Sequence, residues 1–296
     1  MSRLFAALVF CAVLLAVGTQ ALGQGVVQSP EPNASGILFE YKFKEKELLR
    51  YNLELTFDVV MQADIPEASA IPPMYGRMTG IVSQQTKRIL ENGDAEIIAA
   101  IESMKIEMMG QSTDLPAEKM PPFTYVMSKS GMIKSIDMQN LKSLFNEIPF
   151  GDLANFSQHA FFPAKPVKIG ETWKQDIPSP FPGAGTFHAE MKLLRLDAEI
   201  GKERAAVIQQ NSTGEMDIAQ AMLALQKSNG EVSGKADIAT NFLMYFSPDQ
   251  GRLLKAEGDG TMQMNMSFKG QNGGPSQMKM NVQMKCNLNL LPEKAK

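Results

Sequence analysis

The chain has 296 residues, with 29 Lys and Arg against 32 Asp and Glu and 44% hydrophobic residues. That composition excludes a disordered chain, and at roughly 150 residues per domain the length allows one large or two modest domains. The formal charge of −3 gives no reason to expect nucleic acid as a partner, and two His and two Cys leave few parts for a zinc site, a cysteine nucleophile or a Ser-His-Asp relay.

The first 23 residues read as a secretory signal peptide. Arg3 supplies a positive start, Leu4 to Val17 is an unbroken apolar run, and Ala21 and Gly23 offer small residues for cleavage. The run is short for a membrane span of about 20 residues, and no later segment is apolar enough to cross a bilayer as a helix. Phe10 before Cys11 argues against lipid attachment. Removing residues 1–23 takes away Arg3, leaving 28 basic against 32 acidic residues and a charge of −4. It also takes Cys11, so Cys286 has no intrachain disulfide partner. The expected location is secreted or periplasmic. Residues 24–36 are polar and rich in Pro, Gly and Ser, and read as a flexible leader.

The rest of the chain follows a period of two. Ile37, Phe39, Tyr41 and Phe43 alternate with Leu38, Glu40, Lys42 and Lys44. Over 49–61 every odd position is apolar, while Arg50, Asn52, Glu54, Thr56 and Asp58 fill even positions. Such alternation predicts a strand with one dry and one wet face, and one wet face predicts antiparallel pairing. Asn92-Gly93, Ser130-Gly131 and Pro248-Asp249-Gln250-Gly251 mark tight turns between strands. Residues 63–73 and 110–122 read as Pro-rich loops. Two last strands, 252–268 and 277–290, flank a Gly-rich turn.

One helix is expected near 138–148. Asp137 caps it, Met138, Leu141, Leu144, Phe145 and Ile148 recur at helical spacing, and Pro149 stops it. Residues 218–227 fit a second helix or a continued strand. A strand-turn-strand pattern at 123–138 recurs at 242–258. The expected fold is mainly β, with long antiparallel strands in two similar β-rich halves, 37–147 and 186–292, as curved sheets or half-barrels. Residues 148–185 connect them.

Two stretches carry a resemblance. YKFKEKELLRY (41–51) and FPAKPVKIGETW (162–173) are similar to segments of a poorly characterised family of secreted bacterial β-rich proteins. There an aromatic-Lys opening hairpin precedes a Phe-Pro-x-Lys-Pro-Val-Lys-x-Gly-x-x-Trp motif. The resemblance implies an exported all-β protein and carries no catalytic residue across. Where that family has Gly in the opening turn, this chain has Glu45 and Lys46. Read from its own residues, the motif is a stiff approach through Pro163 and Pro166, a turn at Gly170, and Trp173 anchored in a core.

The unusual residue is methionine, 21 in all. Met262, Met264 and Met266 share one strand face, and Met278, Met280 and Met284 share another with Cys286. If 252–268 and 277–290 form a hairpin with matched dry faces, Met264 falls opposite Met280 and Met266 opposite Met278. Three readings compete. Met fills a core, or it lines a cavity for a lipid or other apolar small molecule, or its thioethers bind Cu(I). The expected function is an exported, non-catalytic cell-envelope protein with an apolar ligand on these six methionines. A purely structural role, copper binding and an unrecognised enzyme are the alternatives. No cofactor and no catalytic residue are expected, and protein partners are not legible. His159 and His188 lack a second ligand in strand reach, although Glu190 shares a face with His188. Asp94, Glu96, Glu102 and Glu107 are acidic residues that partner strands could balance.

Overall fold

The computed structural model describes residues 36–64, 72–115, 120–137, 162–179, 183–220, 232–269 and 275–292. These form twelve strands: β1 (Leu48–Ala63), β2 (Met74–Ile89), β3 (Ala95–Met108), β4 (Gln111–Leu115), β5 (Phe123–Met127), β6 (Ile133–Asp137), β7 (Thr172–Pro178), β8 (Gly185–Ile200), β9 (Glu203–Asp217), β10 (Val232–Ser247), β11 (Arg252–Lys269) and β12 (Pro275–Leu290). All pairings are antiparallel and all belong to one open sheet, in the order β6-β5-β3-β2-β1-β12-β11-β10-β9-β8-β7. β4 and β5 share the same edge of β3, β4 on Met104–Met108 and β5 on Ala95–Ala99.

The chain thus starts in the middle of the sheet and steps outward to β6. It resumes at the opposite edge with β7 and returns hairpin by hairpin to β12, beside β1. The two expected halves are flanks of one continuous sheet. Residues 148–185 are more than a connection, because β7 within them is an edge strand paired to β8. The expected loop 110–122 contains β4, a short strand returning on β3 through Gly110. The stretch 37–43 joins no ladder beyond a single bridge from Ile37 to Val167. The expected helix at 138–148 lies outside the described residues. Ile218–Gln220 are helical, and 221–227 also lie outside.

Period-two patterning explains the two faces. In β1, Tyr51, Leu53, Leu55 and Val59 are buried while Asn52, Asp58 and Gln62 are exposed. Register carries that alternation across the sheet. Ile106, Met78, Leu55, Cys286, Gly258, Phe242, Gln210, Met191 and Trp173 stand side by side on nine strands of the inner face. One residue along, the outer face reads Glu107, Arg77, Thr56, Lys285, Asp259, Asn241, Asn211, Glu190 and Lys174. A bulge at Tyr245/Phe246 frees Leu254 from the ladder, and it packs with Ala198, Ala205 and Val207 in a small separate cluster.

Three inner-face glycines lie directly opposite phenylalanines: Gly76 and Phe57, Gly258 and Phe242, Gly214 and Phe187. A Cβ on Gly258 would come 2.3 Å from the Phe242 ring, and one on Gly76 would come 2.3 Å from Phe57. Each ring therefore lies over its glycine and covers backbone that a bare Gly leaves exposed.

One end of the sheet is closed by chain rather than by strands. The Tyr41 amide donates to Lys129 O, and the next amide, Lys42, donates to Gly251 O. Those carbonyls belong to the β5–β6 and β10–β11 turns, the two hairpins whose sequences resemble each other. β5 and β10 lie six strand spacings apart, about 29 Å in a flat sheet. Adjacent residues hold both turns, so the open sheet bends across this end. Phe39, Tyr41, Phe162 and Phe246 fill the bend, with Phe162 and Phe246 centroids 4.8 Å apart. Gly170 turns the chain (φ 84) into β7, where Trp173 is buried in the same core. Lys46 in the opening turn has φ 64, a conformation that favours glycine.

Gly258→Ala is expected to cost about 1–3 kcal/mol, because the new methyl displaces the Phe242 ring. Combined with Phe242→Leu, its cost falls short of additivity. Urea unfolding of the two single variants and the double variant measures both.

Candidate apolar ligand site

The inner face carries two large apolar clusters, besides a smaller one of Ala95, Ile97, Ala99, Tyr125 and Met127 on β3 and β5. The larger lies toward the closed end and holds Leu53, Leu55, Met78, Met191, Leu193, Ile208, Met244 and Leu288 with the aromatic cap. The second lies at the other end and is built largely of thioethers.

The β11–β12 hairpin has the register that matched dry faces require. Met264 opposes Met280, Met266 opposes Met278, and Met262 opposes Val282. β1 sets Met61 opposite Met280, β2 sets Met74 opposite Val59, and β9 sets Met216 opposite Ala236. Eight methionines from five strands therefore share this patch: Met61, Met74, Met216, Met262, Met264, Met266, Met278 and Met280. Met262, Met266 and Met280 are buried, and the other five are half-buried. Val59, Val282, Ile218 and Ala236 complete the floor.

Five of the six expected site residues are thus together. Met284 is the exception: it lies beside Phe57 and Gly260 and packs against the larger cluster. Met61, Met74 and Met216 were not expected. Met61 carried the period-two signal of β1. Met74 and Met216 sit at strand ends, where only pairing reveals the neighbour.

The charged groups named from sequence lie elsewhere and are internally matched. His188 Nδ1 is 2.7 Å from Asp176 Oδ1 across β7–β8, on the exposed outer face. Glu190, its expected companion, instead contacts Lys174 Nζ at 3.0 Å. Asp94 accepts from Lys134, Glu102 from Arg50, and Glu107 from Lys105. Glu96 accepts from Lys87 and Arg88. The Lys87 hydrogen bond, reinforced by Arg88 against partial burial, holds the Glu96 carboxyl below its usual range. No two of these four acidic residues face each other as an acid/base pair. His159 lies outside the described residues.

Among the described residues no group of three or more His, Cys, Asp or Glu is placed to hold a metal ion. Among them, too, no helix is long and apolar enough to cross a membrane. An open groove of about 440 Å³ between β1, β2, β3 and β4 mixes the charged groups of Glu102, Lys105 and Asp114 with Ile81, Met104 and Leu115. It lies apart from the methionine patch. Cys286 is buried beside Leu55 and Gly258, and burial pushes its thiol up to about 12.

No family model matches the chain, and no curated protein matches it. Among solved structures, an acetoacetate decarboxylase-like enzyme from Sphingomonas wittichii RW1 aligns at 12% identity over 84% of this chain and 94% of its own, with a TM-score of 0.17. The enduracididine biosynthesis enzyme MppR with HEPES buffer bound aligns at 8% identity over 85% of this chain and 90% of its own, with a TM-score of 0.11. Backbones that superpose so poorly carry no argument about fold or activity.

Two outcomes follow. The lowered Glu96 pKa adds stability that is present above the ordinary carboxylate range and lost as pH falls through the folded value. Glu96→Gln should therefore destabilise at about pH 7 and have almost no effect near pH 2, as read by urea unfolding at both. Cys286 should resist a thiol reagent at about pH 8 in the folded protein and react fully in guanidinium, because only the thiolate attacks.

Proposed function

We propose that the protein is an exported, non-catalytic component of the cell envelope that holds an apolar ligand on the methionine-lined end of its inner sheet face. The observation that carries the reading is the gathering of eight methionines from five strands on one patch, five of them only half-buried. At the closed end Met78, Met191 and Met244 are fully buried among Leu, Ile and Phe, as in a finished core, whereas five of the eight methionines here are only half-buried. Unbranched thioethers suit a surface that repacks around variable apolar partners. The Arg3 and Leu4–Val17 pattern supports export to a secreted or periplasmic location. Pairing of the acidic residues and the exposed setting of His188 support a role without catalysis.

Native mass spectrometry of the protein purified after secretion is the test. Bound mass beyond the chain, released into organic solvent as an apolar molecule, is the expected result. Met264→Gln with Met278→Gln should weaken binding of an apolar fluorophore by about tenfold while leaving the buried methionines in place. Bare chain mass with no fluorophore binding, or copper in place of an organic molecule, would overturn the reading.

A further inference from the structure

The inner face is uncharged over eight strands. At odd positions 49–63 of β1, even positions 74–82 of β2, odd positions 173–177 of β7 and 185–193 of β8, and even positions 206–216 of β9, 232–246 of β10, 256–268 of β11 and 276–290 of β12, no Asp, Glu, Lys, Arg or His occurs. The same face carries a short polar strip between its two large apolar clusters. Gln210 and Ser212 on β9 lie beside Phe242 and Thr240 on β10, and all three polar residues are nine-tenths or more buried: Gln210 at 3%, Ser212 at 7% and Thr240 at 8% exposure. Gln210 Nε2 donates to Ser212 Oγ at 2.8 Å. Among the described residues, neither Gln210 Oε1 nor the Thr240 hydroxyl has a hydrogen-bond partner.

Neither atom is sealed off: the buried, unbonded side-chain atoms among the described residues are Glu203 Oε2, Asn241 Oδ1 and Arg252 Nε, so Gln210 Oε1 and the Thr240 hydroxyl reach the surface of this face, where a ligand can bond them. Their place is informative. Ile238 and Met262 lie one inner-face row from Thr240, followed by the Met264–Met280 and Met266–Met278 rows, so the methionines extend about 20 Å away in one direction. A molecule lying along them would bring one end to Thr240 and Gln210.

We infer that the ligand is an acyl-chain molecule with an uncharged head that both donates and accepts hydrogen bonds, such as a glyceride, a long-chain alcohol or an amide, its head bonded to Thr240 and Gln210. This rests on the apolar-ligand reading and narrows it. The Thr240 hydroxyl donates to a carbonyl or hydroxyl of the head, and Gln210 Oε1 accepts from a hydroxyl or N–H. An ionised head would lie on this face with no counter-charge, which the strip cannot neutralise.

The test is displacement of an apolar fluorophore from the full chain, delipidated, by four probes below their micellar concentrations. These are 1-oleoylglycerol, 1-octadecene, oleyl sulfate and oleyltrimethylammonium. The expected result is that 1-oleoylglycerol competes at least tenfold better than either ion. Thr240→Val should weaken 1-oleoylglycerol by about fivefold, leave 1-octadecene unchanged, and be rescued by Thr240→Ser. Far-ultraviolet circular dichroism of each variant checks that it folds, and Gln210→Glu supplies a second, electrostatic arm. It should favour oleyltrimethylammonium over 1-oleoylglycerol. Equal competition by charged and neutral probes would overturn the inference while leaving an apolar ligand intact. So would a Thr240→Val effect that is identical for 1-octadecene. Failure of every probe, 1-octadecene included, would overturn the apolar-ligand reading itself.

Discussion

Register is the constraint on which this molecule depends. Side chains alternate with a period of two, so a slip of one residue at any ladder would turn a strand's whole apolar set to the wrong side. Nine strands agree on one parity, from Ile106 in β3 to Trp173 in β7. That agreement divides the sheet into one side of Lys, Glu, Asp and Asn and one side with almost no polar atoms. It also permits the opposed Phe–Gly pairs, since a ring can cover a glycine only when the two stand directly across from each other.

Within that dry side the two ends differ in kind. At one end Phe39, Tyr41, Phe162 and Phe246 interlock under residues that tie distant turns together. Met78, Met191 and Met244 are fully buried there among Leu, Ile and Phe, and the packing is specific. At the other end five of eight methionines are only half-buried, and their three torsions tolerate several arrangements at similar energy. A rigid base with an adaptable surface suits a protein that must keep its shape while accommodating something else. The polar strip of Gln210, Ser212 and Thr240 marks the border between the two regimes.

Much of the fold was legible because it is local. The alternation in 49–61, the turns at Asn92-Gly93 and Pro248–Gly251, and the pairing of Met264 with Met280 all depend on neighbours in sequence or across a single hairpin. Contacts across greater separations were not legible. No pattern announces that β1 pairs β12, with Tyr51 opposite Leu290, so the chain reads as two halves where the structure has one sheet. β7 was concealed because Thr172–Pro178 is short and follows a Pro-rich stretch. β4 was concealed because Gln111–Asp114 is polar throughout. The site was partly legible for the same reason. Parity placed Met284 on the correct face, but only cross-strand neighbours show that Phe57 and Gly260 draw it toward the other cluster. His188 shares a face with Glu190, yet its bonded partner stands across the ladder on β7.

The central seam between β1 and β12 has a kinetic consequence. Its partners are up to 239 residues apart, Tyr51 with Leu290, and β12 follows every other described strand. Loop closure over such a span is slow, so the β1–β3 flank can form early but must wait with an apolar edge uncapped. During that interval β1 presents unsatisfied amides beside Leu53 and Leu55, which invites association with another chain. Synthesis order therefore sets a window of vulnerability that ends only when the sixteen-residue β12 docks in the centre.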